Sequence, residues 1–133
     1  MPGGFIDTNV LVYLASADAA KADRAEALVA AGGAISVQVL NELANVARRK
    51  MRMSWSETHA LLGTLRALLT IHPLTAGVHD TGLALAKRYG LSIYDAMIAA
   101  AALDAGCDTL WSEDMQHGMT LTEGLRIADP FRE

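Results

Sequence analysis

Gly3-Gly4-Phe5-Ile6-Asp7-Thr8-Asn9-Val10-Leu11-Val12-Tyr13-Leu14 is the stretch that sets the fold. Gly3 to Ile6 reads as a short apolar strand, Asp7-Thr8-Asn9 as a polar turn, and Val10 onward as a helix capped by Thr8 or Asn9. Strand, polar turn and helix in that order open an α/β unit. A carboxylate tethered where such a strand leaves the core needs a reason, because an unpaired charge is costly to desolvate.

The same alternation continues outward from that segment. Ala19 to Ala31 has Ala22, Ala25, Leu28 and Val29 at helical spacing and stops at Gly32-Gly33, where glycine takes left-handed C-cap geometry. Ala34 to Val37 is a second strand. Ser36 or Gln38 then caps a helix reaching about Met51, with Val39, Glu42, Val46 and Arg49 along one side. Ser54 with Glu57 forms a capping box ahead of the amphipathic run Thr58 to Leu69. Ile71 to Leu74 is a brief strand or edge segment, and Ala76 to Tyr89 is a helix closed by Gly90. Ser92 opens a further helix that carries Asp95 and the apolar run Ala96 to Leu103, and a helix apolar all round belongs in the interior. Asp108 to Ser112 is a strand ending at Glu113-Asp114, and Arg126 to Ala128 adds a last one. Strands alternating with helices predict an α/β fold, a mainly parallel sheet of four to five short strands covered on both faces.

At 133 residues, 52% hydrophobic and 20% charged, the chain fits one domain, residues 1–133, with a substantial core. No stretch reaches the roughly 18 uninterrupted apolar residues of a membrane span, and the first Lys or Arg is Lys21, so a basic secretory n-region is missing. These features predict a cytoplasmic protein without a membrane partner. Cys107 is the only cysteine, which excludes an intramolecular disulfide and a cysteine-built zinc site.

In an open parallel sheet, ligands bind outside the carboxyl ends of the strands. Asp7 and Asp114 fall at that edge, and Glu42 and Asp95 fall in the first one or two turns of helices leading away from it. One acid near a helix N-terminus is ordinarily dipole compensation or capping. Four brought together repel one another unless a cation shares them, and a hard cation such as Mg²⁺ or Mn²⁺ selects oxygen ligands. Such a centre hydrolyses phosphodiesters, which names Asp7, Glu42, Asp95 and Asp114 as candidate metal ligands and catalytic residues. The net charge of -4 does not exclude a polynucleotide, since setting aside those four negative charges leaves the chain neutral.

Thr8, Asn9 and Ser112 form a supporting tier, placed to orient a carboxylate or to cap. Glu113, next to Asp114, is expected in solvent, with an outer-sphere metal contact as the alternative, and His117, in a loop ending at Gly118, is expected at the surface rather than serving as a proton donor. Arg48, Arg49, Lys50 and Arg52 make the only dense basic run. Cations at a helix C-terminus complement its dipole, yet Arg49 is two turns beyond Glu42 on the same side, about 10 Å along the axis. Arg48, Arg49 and Arg52 are therefore the candidate RNA contacts.

With these residues in place, the chain resembles the PIN-domain ribonucleases, in particular the VapC-type toxins of bacterial toxin-antitoxin pairs. The resemblance rests on Phe5-Ile6-Asp7-Thr8-Asn9-Val10-Leu11, Gln38-Val39-Leu40-Asn41-Glu42, Leu91-Ser92-Ile93-Tyr94-Asp95-Ala96 and Leu110-Trp111-Ser112-Glu113-Asp114-Met115. It implies a three-layer α/β/α PIN-like domain and an endoribonuclease dependent on Mg²⁺ or Mn²⁺, with Asp7, Glu42, Asp95 and Asp114 as its acidic quartet. It further implies an RNA substrate, a homodimer and a cognate antitoxin that occludes the cleft. Some relatives carry Thr-x-Asp and a following aromatic in the last motif, where this chain has Ser112-Glu113-Asp114-Met115; serine keeps the hydroxyl.

Two other readings compete. A Mg²⁺-dependent phosphatase with an aspartyl nucleophile after the first strand wants a second acid two positions on, where this chain has Asn9. A receiver-like or non-catalytic RNA-binding α/β module could keep an acidic pocket without turnover, although it would have no need of all four acids.

Overall fold

The computed structural model describes residues 4–132. Its centre is a six-stranded sheet in the order β3-β2-β1-β4-β6-β5, comprising β1 (Phe5–Ile6), β2 (Ala34–Ser36), β3 (Thr70–His72), β4 (Thr109–Trp111), β5 (Thr120–Leu121) and β6 (Leu125–Ala128). All neighbours pair in parallel except β5, which runs antiparallel to β6. The expected mixed α/β architecture with a mostly parallel sheet holds, with one strand more than expected. That extra strand, β5, is a two-residue edge element held by Leu121 against Leu125. Gly3, the expected start of β1, lies outside the described residues.

Helices flank the sheet: α1 (Thr8–Leu11), α2 (Ala19–Ala30), α3 (Val37–Arg49), α4 (Trp55–Leu68), α5 (Ala76–Tyr89) and α6 (Ile93–Asp104). Their limits follow side-chain chemistry. Ser36 caps α3 by accepting the Val39 amide, Ser54 and Glu57 form the reciprocal capping box of α4, and Gly90 ends α5 in the left-handed conformation. The first helix departs from expectation: Asp7 itself is its cap, and after a single α turn it tightens into a 3₁₀ turn over Val12–Ala15. The Asp7 carboxylate reaches the Thr8 amide directly, so neither Thr8 nor Asn9 is needed for that task. In α6 every residue from Ala96 to Ala102 is buried, as its uniform apolarity predicts.

The strand order fixes where a ligand can sit. From β1 the chain moves outward through β2 to β3, then returns past β1 to place β4 on its other side. Connections that diverge on either side of two adjacent strands leave a crevice at their carboxyl ends, here between β1 and β4. Phe5, Ile6, Ile35, Leu110 and Ile127 form the buried floor beneath that crevice.

Gly4 allows β1 and β4 to approach so closely. A Cβ at this position would lie 2.6 Å from the Thr109 carbonyl oxygen, a backbone atom that cannot move aside alone. Gly4→Ala is expected to lower stability by about 1–3 kcal/mol, read as a lower urea midpoint. An unchanged midpoint would mean that the two strands separate without cost.

Candidate active site

Asp7 leaves β1 and points into the crevice, 2% exposed. Its Oδ1 accepts the Thr8 amide at 2.7 Å, and its Oδ2 accepts the Ser112 hydroxyl at 2.8 Å and the Asn9 side-chain amide at 3.2 Å. Burial pushes this carboxyl up to about 7; the Ser112 and Thr8 donors oppose that rise, and the nearby charges of Asp95 and Glu42 add to it.

The loop after β4 is tied to the same point. Ser112 is fully buried, and besides donating to Asp7 its hydroxyl accepts from the Met115 amide and the Asn9 side chain. Asn9 Oδ1 accepts the Glu113 amide at 3.0 Å, so one asparagine stitches the β1 turn to the β4 turn. On α3, Glu42 accepts from the Thr8 hydroxyl at 2.9 Å and from Gln38 at 2.8 Å. Thr8, Asn9 and Ser112 thus orient the carboxylates.

A cleft of about 500 Å³ lies over these groups, and Asp7, Glu42, Asp95 and Asp114 all line it. Asp95 reaches it from the first turn of α6, where Ser92 caps the helix, and Asp114 from the loop after β4. Asp7 is buried, Glu42 and Asp95 are half-buried and Asp114 is exposed. Among the described residues, no three His, Cys, Asp or Glu side chains are gathered closely enough to hold an ion between them. The ligand chemistry is present, while a closed cage is not.

Thr8, Asn9, Val12, Tyr13, Asn45, Val46, Lys50 and Glu113 complete the wall. Lys50 is the cation of the basic run that faces the acids. Lys50 keeps helical geometry as the C-cap of α3, its amide bonded to the Val46 carbonyl, and so follows Glu42 and Val46 along the helix side that lines the cleft. Arg48 instead donates to the Met53 carbonyl and stacks on Trp55, Arg49 lies in a neighbouring groove, and Arg52 is exposed with φ 56°; none of the three lines the cleft.

Two further expectations change. Glu113 is not simply solvated: it accepts from Tyr13 at 2.7 Å and pairs with Lys21 at 2.6 Å. Those two donors hold its carboxyl below its ordinary value against the opposing effect of burial. Tyr13 and Lys21 were invisible as site residues because their partner Glu113 lies 100 and 92 positions away. His117 is half-buried, its Nδ1 accepting the Asp129 amide, and it does not line the cleft.

Ser112→Ala would leave the buried Asp7 carboxylate short of a donor, at a cost of about 1–3 kcal/mol. Because that hydroxyl stabilises the charged form, the loss should be larger at pH 7.5 than at pH 5 when unfolding is followed with chelator present. An equal loss at both values would show that Ser112 acts by packing alone.

A PIN-domain family model matches residues 4–117. Among solved structures, a toxin-antitoxin complex from Klebsiella pneumoniae is similar over 98% of this chain and 100% of that chain, with 20% identity and a TM-score of 0.74. VapC20 of Mycobacterium tuberculosis, described as a sarcin-ricin loop cleaving toxin, is similar over 83% of this chain and 88% of its own, with 20% identity and a TM-score of 0.63. VapBC2 from Rickettsia felis, bound to a DNA fragment from its promoter, gives 24% identity and a TM-score of 0.59 over 83% and 86% of the two chains. At these identities the likeness is one of fold. No curated protein sequence shows a comparable match.

Proposed function

Because the chain belongs to the PIN-domain family, we propose that it is a divalent-metal-dependent endoribonuclease and the toxin of a type II toxin-antitoxin pair. The observation that carries this reading is the convergence of Asp7, Glu42, Asp95 and Asp114 on one cleft, at the place where the sheet's connections diverge.

The donor chemistry fits a hard cation with waters completing its shell, since no three carboxylates among the described residues close on one point. Every candidate ligand is a carboxylate, and burial next to Asp95 and Glu42 makes the Asp7 charge unfavourable without a counter-ion. Asp7, Asp95 and Asp114 would hold Mg²⁺ or Mn²⁺, with Glu42 alongside. When bound, such an ion supplies a Lewis acid for the scissile phosphate and lowers the pKa of water. The remaining work belongs to the chain. Thr8, Asn9 and Ser112 hold Asp7 and Glu42 in fixed orientations, and Lys50 supplies a positive charge for the phosphate at the rim. The link from Asn9 to Glu113, reinforced by Tyr13 and Lys21, fixes the loop that bears Asp114.

The fold neighbours that are toxin-antitoxin complexes support an antitoxin partner for this chain as well; we propose further that the antitoxin sits over the cleft and that the working unit is a homodimer. No helix among the described residues is long and apolar enough to cross a membrane. The open spacing of the carboxylates favours one second reading, a domain that binds RNA without cutting it. Incubating a labelled RNA with the pure protein in Mg²⁺, Mn²⁺ or EDTA separates the two. Cleavage that needs the metal is expected; binding without cleavage under all three conditions would overturn the nuclease.

A further inference from the structure

Beside the acidic cleft lies a second groove of about 460 Å³, lined by Ala44, Asn45, Arg48, Arg49 and Trp55. Asn45 lines both, so the two share a wall. Trp55, the first residue of α4, is 64% exposed, an unusual position for so large an apolar ring. It is nevertheless held in place. The Arg48 guanidinium lies over the indole, 4.1 Å from the ring centroid, and is itself anchored on the Met53 carbonyl. A cation stacked on the ring orients it, the His59 ring stands tilted beside it with centroids 6.5 Å apart, and most of the residue's surface still meets solvent. Arg49 lines the same groove, and Lys50 continues the positive charge into the cleft.

We infer that this groove is a single-stranded RNA track in which Trp55 stacks a base a short distance from the scissile phosphate, Arg48 braces the ring, and Arg49 meets the backbone. The inference rests on the nuclease reading for its direction but concerns binding. An aromatic platform beside basic side chains is how proteins hold unpaired strands, because every base offers a π face and every nucleotide a phosphate. A protein partner or a second copy of this chain would bury Trp55 as well, but charge decides between them: in a chain of net charge -4, cations clustered at the one exposed indole suit a polyanion.

The test measures anisotropy of a labelled unstructured RNA in an Asp95→Asn background, and cleavage in the native background. Trp55→Ala is expected to weaken binding about 5- to 20-fold and to raise KM by a similar factor with kcat retained, while Trp55→Phe keeps most of the affinity. The indole emission of the parent, but not of Trp55→Phe, should be quenched by RNA. Unchanged affinity in Trp55→Ala would overturn the track. So would a shift in oligomeric state on that substitution, which would make the face a subunit contact. If the native protein binds RNA through Trp55 yet never cleaves it, the nuclease reading fails and the track stands.

Discussion

Asp7→Asn is expected to slow RNA cleavage by about a hundredfold or more while making the metal-free protein more stable at neutral pH. Loss of function and gain of stability come from the same change. Asparagine keeps the shape of aspartate, and its carbonyl oxygen can still accept the Thr8 amide. What it removes is a charge buried next to Asp95 and Glu42, which is unfavourable until a cation shares it. A hydrophobic replacement would confuse this result with misfolding, so the isostere is the variant of choice. Normal cleavage by a pure Asp7→Asn preparation would remove Asp7 from the site. Reduced stability without metal would show that its charge is already compensated within the fold.

The second large effect is a pH dependence. With chelator present, wild-type stability relative to Asp7→Asn should fall as pH rises from about 4 to about 7 and then level off. Below its unfolded value of 3.8 the carboxyl is protonated in both states and adds no penalty. Between 3.8 and about 7 the unfolded chain releases the proton and the folded chain keeps it, so unfolding is favoured progressively. A displacement of that size corresponds to roughly 4 kcal/mol at pH 7.5. An Mg²⁺ or Mn²⁺ ion held by the ionised native site, as proposed, should reverse the trend, raising Tm most where the penalty is largest. Parallel pH profiles for the two proteins, measured by urea unfolding, would contradict the placement of a strained carboxyl at the base of the cleft.

The parts of the molecule legible from sequence were those with a local signature. Helices ended by Gly90, started by the Ser54 and Glu57 pair, or apolar on every side like Ala96 to Ala102 carry their causes within a few residues. β5 was missed because two residues have no period to detect. The cap of α1 was misassigned by one or two positions, since Asp, Thr and Asn are all good caps and only geometry ranks them.

The site divides in the same way. Strand ends and first helical turns were readable, and the four acids that occupy them line one cleft. Pairings across the sheet were not. Nothing near Glu113 in the chain points to Lys21 or Tyr13. The Arg48 guanidinium is committed locally, to Met53 and Trp55 just beyond the end of α3, where the turn between helices has no period to read. Lys50 lies at helical spacing from Glu42 and Val46 and keeps helical geometry, but Arg49 fits that spacing equally well, and only the folded structure separates the two.

Metal-dependent cleavage by this chain requires carboxylates from β1, α6 and the loop after β4 to share one ion. Crystals soaked in Mn²⁺ and measured at the manganese absorption edge test this directly. The predicted result is an anomalous peak within about 2.0–2.4 Å of an Asp7 carboxylate oxygen and bonded also to Asp95 or Asp114. A site saturated with Mn²⁺ that shows its peak elsewhere, or none in the cleft, would contradict it.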